Sequence, residues 1–213
     1  MIGDIIIVKE EHRRAARAIV SRLMPSIDSL NVRYTISIGG ESGSGKSELA
    51  SAIQDVFNQA GKKCIVLQQD DYFVYPPKTN AKMRDQDINH VGITEVRLDL
   101  LDEHVRKFKE RQPRITKPLV IYQEDRIVDE DIDFEDTQIL IVEGTYTTLL
   151  QNTDYRIFID RIYLETKKDR LARDRESNDD RLENILAIEH TIISKHKALA
   201  DLIVQRDFSI KES

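Results

Sequence analysis

The stretch Gly40-Glu-Ser-Gly-Ser-Gly-Lys-Ser47 has the residue types and spacing of a phosphate-binding loop. It follows the alternating apolar run RYTISIG and precedes SELASAIQDVFNQAG, whose apolar residues recur at helical spacing. In that setting Gly40, Gly43 and Gly45 let the backbone curl until successive N–H groups converge on phosphate oxygens, and the helix N-terminus adds its dipole. Lys46 can reach the β- and γ-phosphates, and Ser47 can place its hydroxyl on a phosphate-bound Mg²⁺. The nucleotide-binding set expected here is Gly40, Ser42, Gly43, Ser44, Gly45, Lys46, Ser47 and Glu48. The bland alternative is a Gly/Ser-rich turn, which the strand before and the helix after argue against. The loop points to a nucleoside triphosphate and is silent about the reaction.

Carboxylates and cations elsewhere supply candidate chemistry. The second strand-like run ends in Gln68-Gln69-Asp70-Asp71-Tyr72-Phe73. A carboxylate there can take the proton of an attacking hydroxyl or hold Mg²⁺. Asp70, nearer the strand end, is the candidate base; Asp71 and Tyr72 are candidate acceptor contacts. The competing reading is a solvated acidic turn. Glu143 closes the buried run Ile139-Leu-Ile-Val142 and is placed to serve Mg²⁺, or simply to cap the strand. A single carboxylate before Gly144 leans toward transfer to a bound acceptor rather than hydrolysis. Arg170 and Arg173 share a helix face in RLARDRESNDDR, and Arg175 follows. They are either a solvated face or a lid over the transferring phosphoryl group, with 165–181 as the lid region.

These groups need elements to hold them. Apolar spacing predicts a helix over 10–24 stopped by Pro25, strands at 33–39 and 63–67, and a long functional loop without periodicity to about 93. A helix at about 94–111, a short strand at 119–122, buried strands at about 137–142 and 155–159, and a helix at about 181–200 follow. Residues 201–204 are expected to close the sheet as an edge strand. Gly61 suits the position just past the second helix. Alternating strands and helices imply an α/β fold: one domain over 1–213, a mostly parallel central sheet with helices on both faces, and ligands at the carboxyl ends of the strands. The extension at 1–30 either packs on the sheet or serves a homodimer contact.

Composition narrows the function classes. The 213 residues are 40% hydrophobic and 33% charged, ordinary for a soluble globular chain. A net charge of -6 argues against nucleic-acid and anionic-membrane partners, which need a basic face. Cys64, the one cysteine, reads as a core residue in a reducing compartment. The apolar run at 5–8 is too short for a signal or a membrane span, so a cytoplasmic location is expected.

GESGSGKS, LQQDDYF, DINHVGITEVRLDLL, ILIVEG and IFIDRIYLETKKDRLARDRE stand in an order that resembles the uridine kinase and phosphoribulokinase family, which includes pantothenate and nicotinamide riboside kinases. The resemblance spans about residues 33–204. It implies a P-loop, nucleoside-kinase-like fold and ATP-Mg²⁺ as donor. It also implies Asp70 as base, Glu143 near the metal with Ser47, and Arg170, Arg173 and Arg175 in a mobile lid. Uridine kinases resemble FDHPDAFD where this chain has Ile88–Glu95, so an aromatic and an acid that would touch a nucleoside are missing. The family's YDF…H.R pattern is echoed only by Tyr122 and Arg126. His90, Tyr122 and Arg126 are the remaining acceptor candidates, His90 being equally readable as a surface residue. The acceptor is a nucleoside, a sugar or sugar phosphate, or another small alcohol. A GTPase switch lacks its N-K-x-D and D-x-x-G signatures here; an ATPase, a switch module and a toxin-like kinase of a larger metabolite stay open.

Overall fold

A computed structural model describes residues 1–3, 5–30, 32–171 and 180–212, the side chains of 168–171, 180 and 212 excepted. Its centre is a six-stranded sheet in the order β2-β5-β1-β6-β7-β8. The strands are β1 (Tyr34–Gly40), β2 (Cys64–Gln68), β5 (Ile139–Glu143), β6 (Tyr155–Ile159), β7 (Leu202–Val204) and β8 (Ile210–Glu212). All neighbours are parallel except β7 and β8. The expected edge strand is therefore one place inside the edge, because the chain turns back through Gln205–Ser209 and covers it.

β5 shows why this sheet lies at the centre. Its five residues are all buried. Ile139 and Ile141 join a core with α1 (Glu10–Leu30) and α2 (Lys46–Gln59). Leu140 and Val142 join a second core, on the opposite face, with α4 (Leu98–Lys109). A strand covered on both faces reads as a continuous apolar run, as ILIV does. Cys64 is buried in the first core, and burial pushes its thiol up to about 12. Gly61 takes φ 75 just past α2, the left-handed position expected of it.

Helix α1 does not stop at Pro25. It runs on to Leu30 with Pro25 inside, burying Leu23 and Ile27 against the sheet. The apolar contact on both sides of the proline outweighs the one backbone hydrogen bond it forfeits. α1 packs on α2 and touches β8.

The stretch expected to be irregular holds α3 (Pro77–Gln86), and the expected short strand is half of a hairpin, β3 (Arg114–Ile121) with β4 (Arg126–Asp133). α3 buries only Asn80. Polar contacts hold it instead: Asp125, at the hairpin turn, accepts Lys78 N–H at 2.6 Å, Thr79 N–H at 3.2 Å and the Thr79 hydroxyl at 2.7 Å. A helix capped from another element leaves no apolar stripe to read. After β6 come α5 (Tyr163–Leu171) and α6 (Asp180–Ile193), the latter tightening into a 3-10 turn at Ser194–Leu199. No helix among the described residues is long and apolar enough to cross a membrane.

Candidate active site

The loop Gly40–Ser47 lies between β1 and α2, at the carboxyl edge of the sheet. A side chain on Gly40, at φ 149, would be strained: its Cβ would stand 2.9 Å from Ser44 Oγ and 3.0 Å from the Ile159 carbonyl. Gly45 caps α2 at φ 99. Lys46 Nζ donates to the Glu41 carbonyl at 2.9 Å, which keeps its ammonium at the loop.

Register brings the carboxylates to the same place. Glu143 pairs with Ile38 of β1 and with Gln68 of β2, so β5 and β2 end level, two residues short of the end of β1. Ser47 Oγ donates to Glu143 Oε1 at 2.9 Å. Asp70, half-buried, follows Gln68 by two residues in a 3-10 turn over Gln69–Tyr72. Gly144 lets that turn approach, since a Cβ there would come within 2.2 Å of Gln69 Cβ. The turn is pinned by Tyr146 N–H, which donates to Gln69 Oε1 at 2.7 Å. Hydroxyl and carboxylate oxygens at hydrogen-bond distance are the donor set that Mg²⁺ takes beside phosphates, so Ser47 and Glu143 fit the ion that the loop implies.

The structure corrects two acceptor candidates. Asp71 is 2% exposed; it receives Lys117 Nζ at 2.7 Å, Val120 N–H at 3.0 Å and the Met1 amino group at 3.0 Å. Tyr72 is fully buried, its hydroxyl 2.8 Å from His104 Nδ1. In the 3-10 turn both side chains point inward: Asp71 fastens the hairpin to the domain, and Tyr72 packs against α4. Arg126 is exposed and pairs with Glu124 at 2.7 Å on the hairpin. Tyr122 lies half-buried at the hairpin turn, its N–H bonded to Ile2.

His90 belongs to a polar network that sequence reasoning missed. Its Nε2 lies 3.1 Å from Asn80 Oδ1, and Asn80 donates to Glu95 at 2.8 Å. Arg84 binds both oxygens of Glu95 and reaches Glu189 of α6 at 3.0 Å. Burial opposes the Arg84 charge, yet the Glu95 hydrogen bonds and the two carboxylates raise its pKa further. Burial raises the pKa of Glu189, with Arg84 and Lys46 pulling the other way. Its members come from α3, the turns at Ile88–His90 and Ile93–Glu95, and α6, a set that no local spacing shows.

Glu41 was missed as well. Buried in the loop, it accepts Tyr163 N–H at 2.7 Å and the His190 Nδ1 proton at 2.6 Å. Thr166 Oγ1 donates to the Ser42 carbonyl at 3.0 Å. The helices that flank the expected lid are thus fastened to the loop itself. Arg173 and Arg175 lie outside the described residues, as does the side chain of Arg170. Ser44 is buried, and Glu48 is buried on the first turn of α2.

The sequence profile of the phosphoribulokinase / uridine kinase family matches residues 35–209. The chain belongs to that family. Its members are ATP-dependent phosphotransferases that act on hydroxyl groups, and this kinase carries the loop and strand-end carboxylate that such chemistry needs. It is 29% identical over 194 residues to the bifunctional alpha-galactosidase/sucrose kinase AgaSK of Mediterraneibacter gnavus, covering 84% of this chain and 21% of that protein. It is 28% identical to the uridine kinase of Lactiplantibacillus plantarum, covering 79% of this chain and 85% of that one. Among solved structures, phosphoribulokinase from Rhodobacter spheroides superposes with a TM-score of 0.64 at 16% identity, covering 81% of this kinase and 70% of that chain. A possible uridine kinase from Bacillus stearothermophilus gives 0.60 at 16% identity, covering 87% and 98%. At such identities the two structures speak for the fold alone.

Proposed function

We propose that this chain transfers the γ-phosphoryl group of ATP to a hydroxyl of a small metabolite, a nucleoside or a ribosyl or sugar-type alcohol. The observation that carries the reading is the Ser47–Glu143 contact of 2.9 Å beneath the phosphate loop, with Asp70 emerging from the adjacent strand. Lys46 and the loop N–H groups hold the β- and γ-phosphates. Ser47 and Glu143, with Asp70 as a further oxygen donor, would hold Mg²⁺, which neutralises phosphate charge when bound. Asp70 takes the proton of the acceptor hydroxyl; that oxygen bonds to the γ-phosphorus, the β–γ bridging bond breaks, and ADP leaves. Arg170 and Arg173 offset charge on the transferring group.

One observation supports an acceptor of the sugar type. The position where uridine kinases carry an aromatic is Ile88, so a nucleobase loses a stacking partner there.

The test is ADP formation by the full chain with ATP-Mg²⁺, measured without acceptor and with nucleosides, ribosyl compounds, pantothenate and sugars. ADP formation should depend on one acceptor class. Equal phosphate release without any acceptor would make this an ATPase and overturn the proposal.

A further inference from the structure

The chain before β1 lies outside the 35–209 match, yet it reaches the phosphate loop. Lys9, Glu11 and His12 wall a cavity of about 250 Å³ that Gly43, Gly45 and Arg161 line from the other side. His12 is 4% exposed and meets Phe208 edge-on, with ring centroids 4.4 Å apart and planes at 85°. The Lys9 N–H donates to His12 Nδ1 at 3.0 Å. With Nδ1 accepting, the proton of the neutral ring sits on Nε2. Burial holds the His12 pKa below the ordinary imidazole value, so the neutral ring prevails at neutral pH.

That Nε2 faces the loop, 3.4 Å from where a Cβ on Gly45 would stand. Phe208 presses on the same point, its Cζ 2.7 Å from that position. Phe208 holds φ 60, a costly conformation for an aromatic residue. The Arg161 guanidinium covers its ring at 5.6 Å. A donor with a settled tautomer, a planar cation and a strained aromatic therefore converge on one rim of the loop, beside an open cavity.

We propose that residues 7–12 form the outer wall of the site for the nucleotide base, with His12 Nε2–H donating to a ring nitrogen of a purine. The inference rests on reading Gly40–Ser47 as a nucleotide site. A base attached to phosphates on the loop must leave it along one rim, and this rim carries a cavity with a flat guanidinium and a hydrogen-bond donor. Purines present ring-nitrogen acceptors on their edge and a π-face to a cation. In this chain, base recognition then depends on residues that precede the family domain.

The experiment compares binding of ADP and of inorganic tripolyphosphate, which has no base, to the full chain by calorimetry. His12→Phe keeps a ring against Phe208 and removes the donor; His12→Gln restores an N–H. ADP should bind about tenfold more weakly to His12→Phe, a loss on the scale of one hydrogen bond. It should recover in His12→Gln, while tripolyphosphate is unaffected by either change. Unaltered ADP binding in folded His12→Phe overturns the inference and leaves the nucleotide reading standing. Equal weakening of both ligands also overturns it, because His12 then only props the loop. A wild-type chain that binds neither ligand removes the nucleotide reading and this inference together. If His12→Phe does not fold, the His12 Nε2 resonance of the wild-type chain decides: a shift with ADP and none with tripolyphosphate supports the contact, and no difference overturns it.

Discussion

Asp70 and Asp71 are chemically identical neighbours with opposite surroundings. Asp70 stands half-buried at the end of β2, while Asp71 is sealed under the hairpin on Lys117. Asp70→Asn should retain ATP binding and lower turnover by about 10²–10⁴-fold, the usual range for general-base assistance. Asp71→Asn should lower stability instead and change turnover far less; steady-state kinetics beside a denaturant titration separates the two. Severe kinetic loss in Asp71→Asn with normal stability would reverse the assignment. Lys46 makes a comparable case. Its ammonium touches only the loop carbonyl of Glu41 among its described hydrogen bonds. Lys46→Ala should fold normally and lose phosphoryl transfer, and wild-type turnover in that variant would remove the loop from the mechanism.

Element by element, polar clasps do what apolar packing does elsewhere in the domain. The hairpin β3–β4 is fastened by Lys117, which is 4% exposed and bridges Asp71 at 2.7 Å and Glu130 at 2.9 Å. Lys117→Met leaves the Asp71 carboxylate short of a buried partner and should cost about 3–5 kcal/mol in urea unfolding. Replacing Asp71 as well, by Leu, should return part of that loss, since an apolar pair needs no compensation. A double variant weaker than Lys117→Met would show that the remaining Asp71 bonds, to Val120 and the Met1 amine, matter more. The clasp at Glu41, between the loop and helices α5 and α6, behaves similarly. Glu41→Ala removes the carboxylate that accepts the Tyr163 N–H and the His190 ring and should destabilise by about 1–3 kcal/mol. It should also raise KM for ATP, measurable beside the melting temperature.

For the molecule as a whole, His104 links stability to pH. It is 2% exposed in the second core beside the Tyr72 hydroxyl. Burial, with the Lys107 charge adding to it, lowers its pKa to about 4. The unfolded chain holds a proton on this ring below about 6.5, so its contribution is fully present above that pH and fades as pH falls toward 4. The difference is on the order of 3 kcal/mol. Urea titrations at pH 7 and pH 4.5 should therefore differ more for the wild-type chain than for His104→Gln. An equal pH dependence in both would show that His104 does not control it.

Much of this architecture is legible in the sequence because its causes are local. GESGSGKS needs specific backbone curvature, ILIV needs two covered faces, and each requirement leaves its mark within a few residues. The order of strands and helices then implied the parallel sheet, whose register brings Ser47 to Glu143 beside the end of β2. Tertiary structure alone decided the rest. It separated Asp70 from Asp71, since which side of a turn faces solvent depends on the hairpin packed over it. It carried α1 past Pro25, because the apolar contact beyond the proline is with a sheet that forms later in the chain. It formed α3 from caps and ion pairs contributed by Asp125 and Glu95, partners that no periodicity reports. It tied Glu41 to His190 across 149 residues and brought His12 to the phosphate loop, because hydrogen bonds and ring contacts act over ångströms in space whatever the separation along the chain.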